Sequence, residues 1–405
     1  MDTSKIRQDF PVLSGDNKGN SEQPLIYFDN ACMALKPRQV VEAMNTYYNE
    51  FPACAGRSVH KLSNKVEEQR KASRETLQKF IGAKKAEEII FTRNTTEGLN
   101  LVFNSMTFQK GDIVMTTDRE HNSNLIPCQM LENSGVEHRV VLSNNDHTFS
   151  MDNFLDMLNK DVRLVSFVYT SNLDGYTLPV KEIIKASHDN GSLVMLDGAQ
   201  AIPHHEVNAN KLGADFLAFS GHKMLGPTGT GVLYVNEKHY DTLQPFMVGG
   251  ETVEWSTYED HQFLKPPEKF EAGLQNYAGE IGLAAAAGYL KRVGLKDIKK
   301  HERNLTVDMH DHLCSMDGIK FIGVQHPDHL GGITSFSLEG IGYHEVAMML
   351  DNSHNIAVRS GQHCVHSWFQ AHGIRGSVRA SLYLYNTKEE VETFIEALQK
   401  ITKLR

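Results

Sequence analysis

The sequence lacks the features that mark several specialised classes of protein. It has only five cysteines in 405 residues, an odd number that includes no CxxC pair. Such a set fits reduced thiols in a large intracellular protein better than a disulfide framework, and it argues against a structural zinc site. For Cys128 and Cys314 we expect small buried side chains that pack as hydrophobic residues.

Long apolar, acidic or basic runs are also missing. No apolar run approaches the roughly 20 residues of a membrane-spanning helix. The net charge is -9, without long acidic or basic runs, which argues against nucleic acid as the main partner and gives no electrostatic reason to bind an anionic membrane. Residues 1–11 are polar and lack the apolar core of a secretion signal. We therefore expect a soluble, cytoplasmic protein that binds neither nucleic acid nor membrane.

The pattern of the chain predicts an α/β fold. With 405 residues and 40% hydrophobic content, the chain can bury a large core and is long enough for two domains. Between residues 88 and 236, short β-branched runs alternate with amphipathic stretches, which is typical of a mainly parallel sheet covered by helices on both faces. The segments expected in this region include 89–91, 96–105, 113–115, 122–133, 164–169 and 180–188.

The pattern changes towards the end of the chain. An Ala-rich helix is expected at 281–290, more separated strands at 333–338, 357–359 and 378–384, and a closing helix at 388–401. We therefore expect a large domain over 26–272 and a smaller α+β domain over 273–405. An N-terminal segment, 1–25, is expected to pack near the small domain.

Two residues of opposite charge each follow an apolar run of a predicted strand. Asp197 ends the run 193–196, and Lys223 closes the segment that begins at Ser220. In an open α/β sheet, ligands bind at this end of the strands. A lysine amine can form a Schiff base with an aldehyde, and a carboxylate can keep a pyridine nitrogen protonated. Lys223 and Asp197 together therefore predict a site for pyridoxal 5'-phosphate (PLP).

A series of short motifs resembles a known family over almost the full length. The segments are YFDNA at 27–31, RSVH at 57–60, NTTEG at 94–98, EHNSN at 120–124, TSN at 170–172, DGAQ at 197–200, SGHK at 220–223, RSGQHC at 359–364 and RAS at 379–381. They resemble the fold-type I PLP enzymes of the class V aminotransferase superfamily, most closely the SufS-type (group II) cysteine desulfurases. The resemblance implies a large domain with a mainly parallel seven-stranded sheet, a smaller C-terminal α+β domain and a homodimer.

The resemblance also implies which residues hold the cofactor. Thr95 and Thr96 open a predicted helix, whose free N–H groups and hydroxyls would bind the phosphate. Ser220 and His222 would add contacts to the same phosphate. His121 would stack on the pyridine face and relay protons.

Two amides and two arginines complete the implied site. Asn172 and Gln200 would hydrogen-bond the ring oxygen of the cofactor and set the electronics of its imine. Arg379 would bind the substrate carboxylate in a bidentate fork, with Arg359 nearby. Asn172 would also contact the substrate, and the implied site contains no metal.

Cys364 decides which reaction the resemblance implies. Its thiolate would attack the sulfur of an L-cysteine bound to PLP, which leaves a persulfide on Cys364 and releases L-alanine. The persulfide would then pass to a protein acceptor for iron–sulfur cluster assembly or another thiolation pathway. Ser360, Gly361 and His363 suggest a turn, in which a thiol is exposed.

The sequence departs from the family pattern at several positions. Leu274-Gln275 stands where the family commonly has Thr-Pro. That threonine contributes a hydroxyl to the phosphate of the partner subunit, a contact that leucine cannot make. Gly56 replaces a common histidine, and 365–367 replaces the usual Ala-x-Pro after the cysteine. Cys54 lies close to Gly56, in a segment expected near the substrate entrance, so we also consider it as a second thiol in sulfur handling.

Other functions remain open at this point. A selenocysteine lyase, another β-elimination enzyme or an epimerase would use the same scaffold without needing Cys364. A scaffold or sulfur-relay partner without turnover is a third possibility, although such a protein has no physical need for the full set of lysine, aspartate, arginine and cysteine.

Overall fold

The computed structural model describes residues 1–14, 23–56, 58–329 and 331–404, so Arg57 of the RSVH motif lies outside the described residues. The helices are α1 Thr3–Arg7, α2 Arg38–Glu50, α3 Lys61–Phe80, α4 Thr95–Ser105, α5 Asn122–Leu131, α6 Met151–Met157, α7 Val180–Asn190, α8 Ala209–Leu212, α9 Tyr277–Val293, α10 Leu295–Cys314, α11 Tyr343–His354, α12 His366–Ala371 and α13 Lys388–Thr402. The strands are β1 Ile26–Tyr27, β2 Ile89–Thr92, β3 Ile113–Thr117, β4 Glu137–Val141, β5 Val162–Val168, β6 Leu193–Asp197, β7 Phe216–Ser220, β8 Gly231–Val235, β9 Val253–Ser256, β10 His261–Phe263, β11 Ile319–Phe321, β12 Ile333–Leu338, β13 Ile356–Ala357, β14 Arg359–Gly361 and β15 Ser377–Ser381.

Seven strands form the main sheet, in the order β2-β8-β7-β6-β5-β3-β4. The strands from β7 to β4 run parallel to one another, and β8 runs antiparallel to both of its neighbours. The prediction of an α/β fold with a mainly parallel seven-stranded sheet is therefore confirmed.

Alternate residues of each central strand enter different cores. In β7, Leu217 and Phe219 belong to a core that includes side chains of α3 and α9, while Phe216 and Ala218 belong to a second core with α4. This is the period-two alternation of a strand covered on both faces. Helices therefore bury both faces of the sheet, and the polar residues that follow its strands are left at its edges.

The C-terminal part has a second sheet, which is antiparallel and has the order β11-β12-β15-β14. It packs with α10, α11 and α13 around a separate core. Two predicted strands differ from those observed. The strand expected at 357–359 is interrupted at Val358, so that β13 ends at Ala357 and β14 begins at Arg359. The strand expected at 378–384 ends at Ser381, and Tyr383 and Leu384 beyond it pack in the main core.

The N-terminal segment contacts both parts of the chain. Arg7 Nη1 donates to the carbonyl oxygen of Tyr385 and to Glu390 Oε1, each at 2.7 Å. The ring of Phe10 packs edge-on against Tyr289 of α9 and against Tyr385. Ile26 and Phe28, which we assigned to the large domain, contribute to the C-terminal core, and β1 pairs with β13. The division of the chain into domains stays a prediction.

The structure also bears on the expectations about membrane-spanning helices and cysteines. No helix among the described residues is long and apolar enough to cross a membrane. Cys128 is buried as expected, whereas the expectation for Cys314 is wrong. Cys314 is the last residue of α10, and its exposed thiol lies 3.5 Å from His310 Nδ1, one turn earlier.

Candidate active site

One cavity of about 220 Å³ brings together every site residue that the sequence predicts. It is lined by Thr95, Thr96, His121, Asn172, Asp197, Gln200, Ser220, His222, Lys223, Arg359, Cys364 and Arg379. These residues come from the edge of the main sheet and from the C-terminal sheet. The cavity therefore lies where the two sheets meet.

Lys223 and Asp197 reach this cavity from neighbouring strands. Asp197 is the last residue of β6, and Lys223 lies in the 3₁₀ turn Gly221–Lys223 directly after β7. Asp197 Oδ1 accepts a hydrogen bond from the Ala199 N–H at 2.9 Å. Burial raises the pKa of Asp197, and the Ala199 N–H and the charge of Lys223 oppose this shift. Burial, reinforced by Arg379, lowers the pKa of the Lys223 amine against the opposing charge of Asp197. The shift favours the neutral, nucleophilic amine.

The first turn of α4 forms one end of the cavity. Its N-cap residue, Asn94, accepts a hydrogen bond from a backbone N–H of the first turn. The Thr95 N–H donates to Ser220 Oγ at 2.8 Å, and the two hydroxyl oxygens lie 2.6 Å apart. Thr96 Oγ1 lies 2.7 Å from Ser123 Oγ. Because four hydroxyl groups gather at a helix N-terminus, this end of the cavity is suited to bind a phosphate group.

Gly231 of β8 allows this helix end to lie close to the sheet. A Cβ atom at position 231 would lie 2.7 Å from Asn94 Cα and 2.8 Å from the Phe219 carbonyl oxygen. Both are backbone atoms that cannot move aside independently. A glycine is therefore required for the observed position of the α4 N-terminus.

Two histidines in the cavity are held in the neutral form. His121 is the N-cap residue of α5, and its Nδ1 accepts a hydrogen bond from the Ser123 N–H at 3.0 Å. Burial, followed by the charges of Lys223 and Arg379, lowers the pKa of His121 to about 3. Burial and Lys223 also lower the pKa of His222 to about 4. Because His121 Nδ1 accepts, the neutral ring carries its proton on Nε2.

Unpaired polar atoms in the cavity indicate a polar ligand. Gln200 Nε2 donates to the Ala31 carbonyl oxygen and Asn172 Nδ2 to that of His363, each at 2.7 Å. The amide oxygens of Gln200 and Asn172 and the Nε of Arg379 are buried without a hydrogen-bond partner in the described part of the chain. Buried polar atoms that stay unpaired cost about 1–3 kcal/mol each. A lysine, a buried carboxylate, a helix N-terminus and unpaired amides together fit PLP.

Two arginines project into the cavity from the C-terminal sheet. Arg359 and Arg379 are directly paired across β14 and β15, so their side chains leave the same face. Arg379 Nη1 donates to the Asn172 carbonyl oxygen at 2.9 Å, and its Nη2 lies 3.5 Å from Asp29 Oδ1. Arg359 Nη1 lies 4.0 Å from the other oxygen of Asp29. Burial raises the pKa of Asp29, and the two guanidinium charges oppose the shift. The pair offers a cationic site for a carboxylate.

The Cys364 loop holds its thiol in the cavity through an unusual backbone. Gly361, His363 and Cys364 have φ angles of 122°, 52° and 60°, and this region is unfavourable for residues other than glycine. The Cys364 carbonyl oxygen accepts from the Asn122 N–H at 2.8 Å, and His363 Nε2 lies 2.8 Å from Ser377 Oγ. Consecutive strained residues held in this way are typical of functional sites.

Some cavity residues had no role in the sequence analysis. Cys32 and Ser123 line the cavity, and Arg359 Nη1 donates to Cys32 Sγ at 2.9 Å. Cys32 and Arg359 are 327 residues apart, so no local signal in the sequence relates them. Asp29 lies within the YFDNA motif, and its contacts with both arginines give it a role in holding them.

The structure shows where the residues that depart from the family pattern lie. Leu274 is 69% exposed, and Cys54 is exposed and does not line the cavity formed by the described residues. Gly56 has a φ of 69°, a conformation that favours glycine. After Cys364 the chain enters α12, whose first residue, His366, places Nδ1 2.8 Å from Asn122 Nδ2. The exit from the cysteine loop is therefore a short helix.

Comparisons with known proteins agree with this geometry. Residues 26–394 match the family described as Aminotransferase class-V. Cysteine desulfurase from Escherichia coli O7:K1 is 38% identical over 405 residues, covering 99% of this chain and 98% of that protein. A probable cysteine desulfurase from Halalkalibacterium halodurans is 36% identical over 404 residues, covering 99% and 98%.

Solved structures give the same result. The apo structure of cysteine desulfurase from Thermococcus onnurineus NA1 has a TM-score of 0.94 and 38% identity, covering 99% of this chain and 98% of that chain. The cysteine desulfurase CsdA (S-sulfonic acid) from Escherichia coli has a TM-score of 0.91 and 29% identity, covering 100% and 99%.

Proposed function

The chain belongs to the class V aminotransferase family, and from this premise we propose that it is a PLP-dependent cysteine desulfurase. It converts L-cysteine to L-alanine and keeps the sulfur as a persulfide on Cys364. The observation that carries the proposal is the position of Cys364, which lines the same cavity as Lys223 and the two arginines. Relatives named cysteine desulfurase, matched over nearly their full length, support the same activity.

Each residue of the cavity would hold a different part of PLP. Lys223 would bind the aldehyde covalently, and Asp197 would pair with the pyridine nitrogen. The first turn of α4, with Ser220 and His222, would bind the phosphate. Asn172 and Gln200 each have an amide group in the cavity that would hydrogen-bond the ring oxygen. When bound, PLP supplies the electron sink that allows bonds at the Cα and Cβ atoms of an amino acid to break.

Two groups of this chain handle protons. Burial and Arg379 lower the pKa of Lys223, which favours the neutral amine. The neutral amine can then accept a proton at Nζ. His121 carries a proton on Nε2 and accepts the Ser123 N–H at Nδ1, so its ring orientation is fixed. A neutral ring can stack on a pyridine without charge repulsion, and its Nε2–H can be given up and regained.

Cys364 performs the sulfur transfer. Its Sγ forms a bond to the substrate sulfur while the Cβ–S bond of the substrate breaks, and the released Cβ is protonated to give the methyl group of alanine. The reaction requires no external oxidant, because the electron pair of the broken Cβ–S bond stays with Cβ. The carbon is thereby reduced to a methyl group as the sulfur is oxidised to the level of a persulfide. The left-handed backbone at His363 and Cys364 supports this role, since it holds the thiol in the cavity.

Arg379 and Arg359 bind the substrate carboxylate. Arg379 is 2% exposed and is fixed by the Asn172 carbonyl oxygen, which places it beside a residue proposed to contact the cofactor. A planar guanidinium can bind a carboxylate through two parallel hydrogen bonds. Substrate and cofactor would thereby be aligned by one connected set of contacts.

We also propose a protein that accepts the sulfur, a homodimer and a reducing cellular compartment. A persulfide on a partly exposed cysteine implies a protein that accepts the sulfur, for iron–sulfur cluster assembly or another thiolation pathway. A homodimer is proposed because Leu274 and Met247 are exposed apolar side chains that line a second cavity together. All five cysteines are free, and two are exposed, which supports a reducing compartment such as the cytoplasm.

The Cys364→Ala variant tests the proposed reaction. The PLP-loaded variant should keep the visible absorbance of the cofactor bound to Lys223, because Cys364 makes no bond to the cofactor. It should form alanine from L-cysteine at least about 100-fold more slowly than the wild type. Cys54→Ala is the matched control, and it should retain wild-type turnover because Cys54 lies outside the cavity. An unchanged rate in Cys364→Ala would refute the assigned nucleophile.

A further inference from the structure

Cys32 is the second thiol of the active-site cavity, and the reaction proposed above gives it no role. Its Sγ accepts a hydrogen bond from Arg359 Nη1 at 2.9 Å. Asp29 Oδ2 lies 4.0 Å from the same Nη1 atom. The thiol and the Asp29 carboxylate therefore lie against the same nitrogen of the Arg359 guanidinium, and the thiol is the hydrogen-bond acceptor in this contact.

The backbone around Cys32 is fixed from both sides. The Cys32 N–H donates to the Asp29 carbonyl oxygen at 3.1 Å, which closes a tight turn. The Ala31 N–H donates to Ser381 Oγ at 2.9 Å, and Asn30 Nδ2 donates to the Ser381 carbonyl oxygen at 2.7 Å. Because this turn is tied to the end of β15, the thiol is a fixed point relative to the C-terminal sheet.

The two arginines differ in how firmly the rest of the protein holds them. The side chain of Arg379 is 2% exposed, and a backbone carbonyl oxygen fixes its guanidinium. The side chain of Arg359 is 38% exposed. A long, partly exposed side chain has many accessible rotamers, so a contact is needed to keep its guanidinium at the cavity. The hydrogen bond to Cys32 supplies that contact.

We propose that Cys32 is a positioning residue for substrate binding, whose thiol holds the Arg359 guanidinium so that Arg359 and Arg379 bind the substrate carboxylate together. An arginine carries five N–H donors, so the use of Nη1 by Cys32 leaves Nη2 and Nε for a carboxylate. The inference rests on the proposed function, since it assumes an amino-acid substrate.

Kinetics with L-cysteine test this role in the PLP-loaded chain. Cys32→Ala should raise KM by about fivefold, the effect expected from the loss of one typical hydrogen bond, and should change kcat by less than about twofold. Cys32→Ser should recover most of the loss, because a hydroxyl can also accept a hydrogen bond from Arg359. Cys314→Ala removes an exposed thiol outside the cavity and should match the wild type.

A double-mutant cycle tests whether Cys32 acts through Arg359. In an Arg359→Ala background, Cys32→Ala should have no further effect on KM, because the contact it removes is already absent. The Kd of L-alanine, measured by calorimetry with the same variants, should follow the same pattern. An unchanged KM in Cys32→Ala, a loss confined to kcat, or full additivity in the cycle would overturn the proposal.

Different results would refute the proposed function and the role of Cys32. A wild-type chain that forms no alanine from L-cysteine would refute the proposed function. Alanine formation by the wild type, with Cys32→Ala and Cys32→Ser both at wild-type KM and Kd, would leave that function standing and refute the role of Cys32.

Discussion

The backbone N–H of Asn122 donates a hydrogen bond to the carbonyl oxygen of Cys364 at 2.8 Å. Asn122 begins α5 directly after His121, so this bond joins the histidine proposed to stack on the cofactor to the loop that carries the thiol. The bond has a backbone donor and a backbone acceptor and depends on neither side chain. The spacing between the two functional groups is therefore set by the fold.

The approach of α4 to β8 gives a prediction at Gly231. Gly231→Ala would place a Cβ 2.7 Å from Asn94 Cα and 2.8 Å from the Phe219 carbonyl oxygen, so the N-terminus of α4 must shift. We expect a loss of about 1–3 kcal/mol in stability and at least about a tenfold loss in PLP affinity. Thermal unfolding and PLP titration measure the two effects.

Gly288 provides the matched control for that substitution. It lies inside α9, and a Cβ there would meet no atom within 4 Å. Gly288→Ala should leave PLP affinity unchanged and stabilise the protein by up to about 1 kcal/mol, because alanine has the higher helix propensity. Equal PLP affinity in the two variants would contradict the argument from close approach.

A buried ionic cluster gives a second prediction, at Glu271. Arg74 donates to both oxygens of this carboxylate at 2.8 and 2.9 Å, the Phe91 N–H donates at 2.7 Å, and Arg70 also contacts it. The arginines and these hydrogen bonds lower the pKa of Glu271 although burial opposes the shift. Glu271→Gln leaves the two arginines less well compensated, so we expect a loss of about 3–5 kcal/mol in stability.

The exposed pair of Lys185 and Asp189 is the control for that prediction. Its side chains are 78% and 65% exposed, and such pairs contribute about 1 kcal/mol or less. Thermal unfolding should therefore show a large shift for Glu271→Gln and almost none for Asp189→Asn. Equal shifts would show that the buried cluster contributes no more than a surface pair.

Buried neutral histidines give a pH dependence of stability. Burial, together with the charges of Lys299 and His204, lowers the pKa of His205 from its reference value of 6.5 to about 3. Below pH 6.5 the unfolded chain therefore binds more protons than the folded chain at this site. Its contribution to stability is complete above pH 6.5 and is lost progressively as the pH falls towards 3.

His205→Gln removes that titration. Between pH 7 and pH 5 the variant should lose about 2 kcal/mol less stability than the wild type, since each histidine contributes up to about 1.4 kcal/mol per pH unit. Denaturant unfolding at several pH values measures the slopes, and parallel curves for His205→Gln and the wild type would contradict the assignment.

The residues predicted for the site could be found from the sequence because they lie in short motifs. Asp197 and Lys223 each follow a buried strand, and a mainly parallel sheet brings the ends of neighbouring strands together. The helix at Thr95 and the Cys364 segment were recognisable for the same reason. All of the predicted site residues line one cavity.

What the sequence could not predict depends on tertiary contacts. The contact between Cys32 and Arg359 joins residues 327 positions apart. The predicted strand at 378–384 ends in the apolar residues 382–384, but Tyr383 and Leu384 pack in the main core instead of pairing in a sheet. Cys314 was expected to be buried, yet its position at the end of α10 leaves it exposed. Hydrophobic pattern alone does not distinguish these cases.

Mass spectrometry of the PLP-loaded protein after incubation with L-cysteine tests the central claim most directly. We expect one added sulfur atom that maps to Cys364 in the wild type, accompanied by L-alanine. We expect no added sulfur in Lys223→Ala, because that variant lacks the amine that binds PLP. Alanine formation without sulfur on Cys364, or sulfur on Cys364 in Lys223→Ala, would contradict the account.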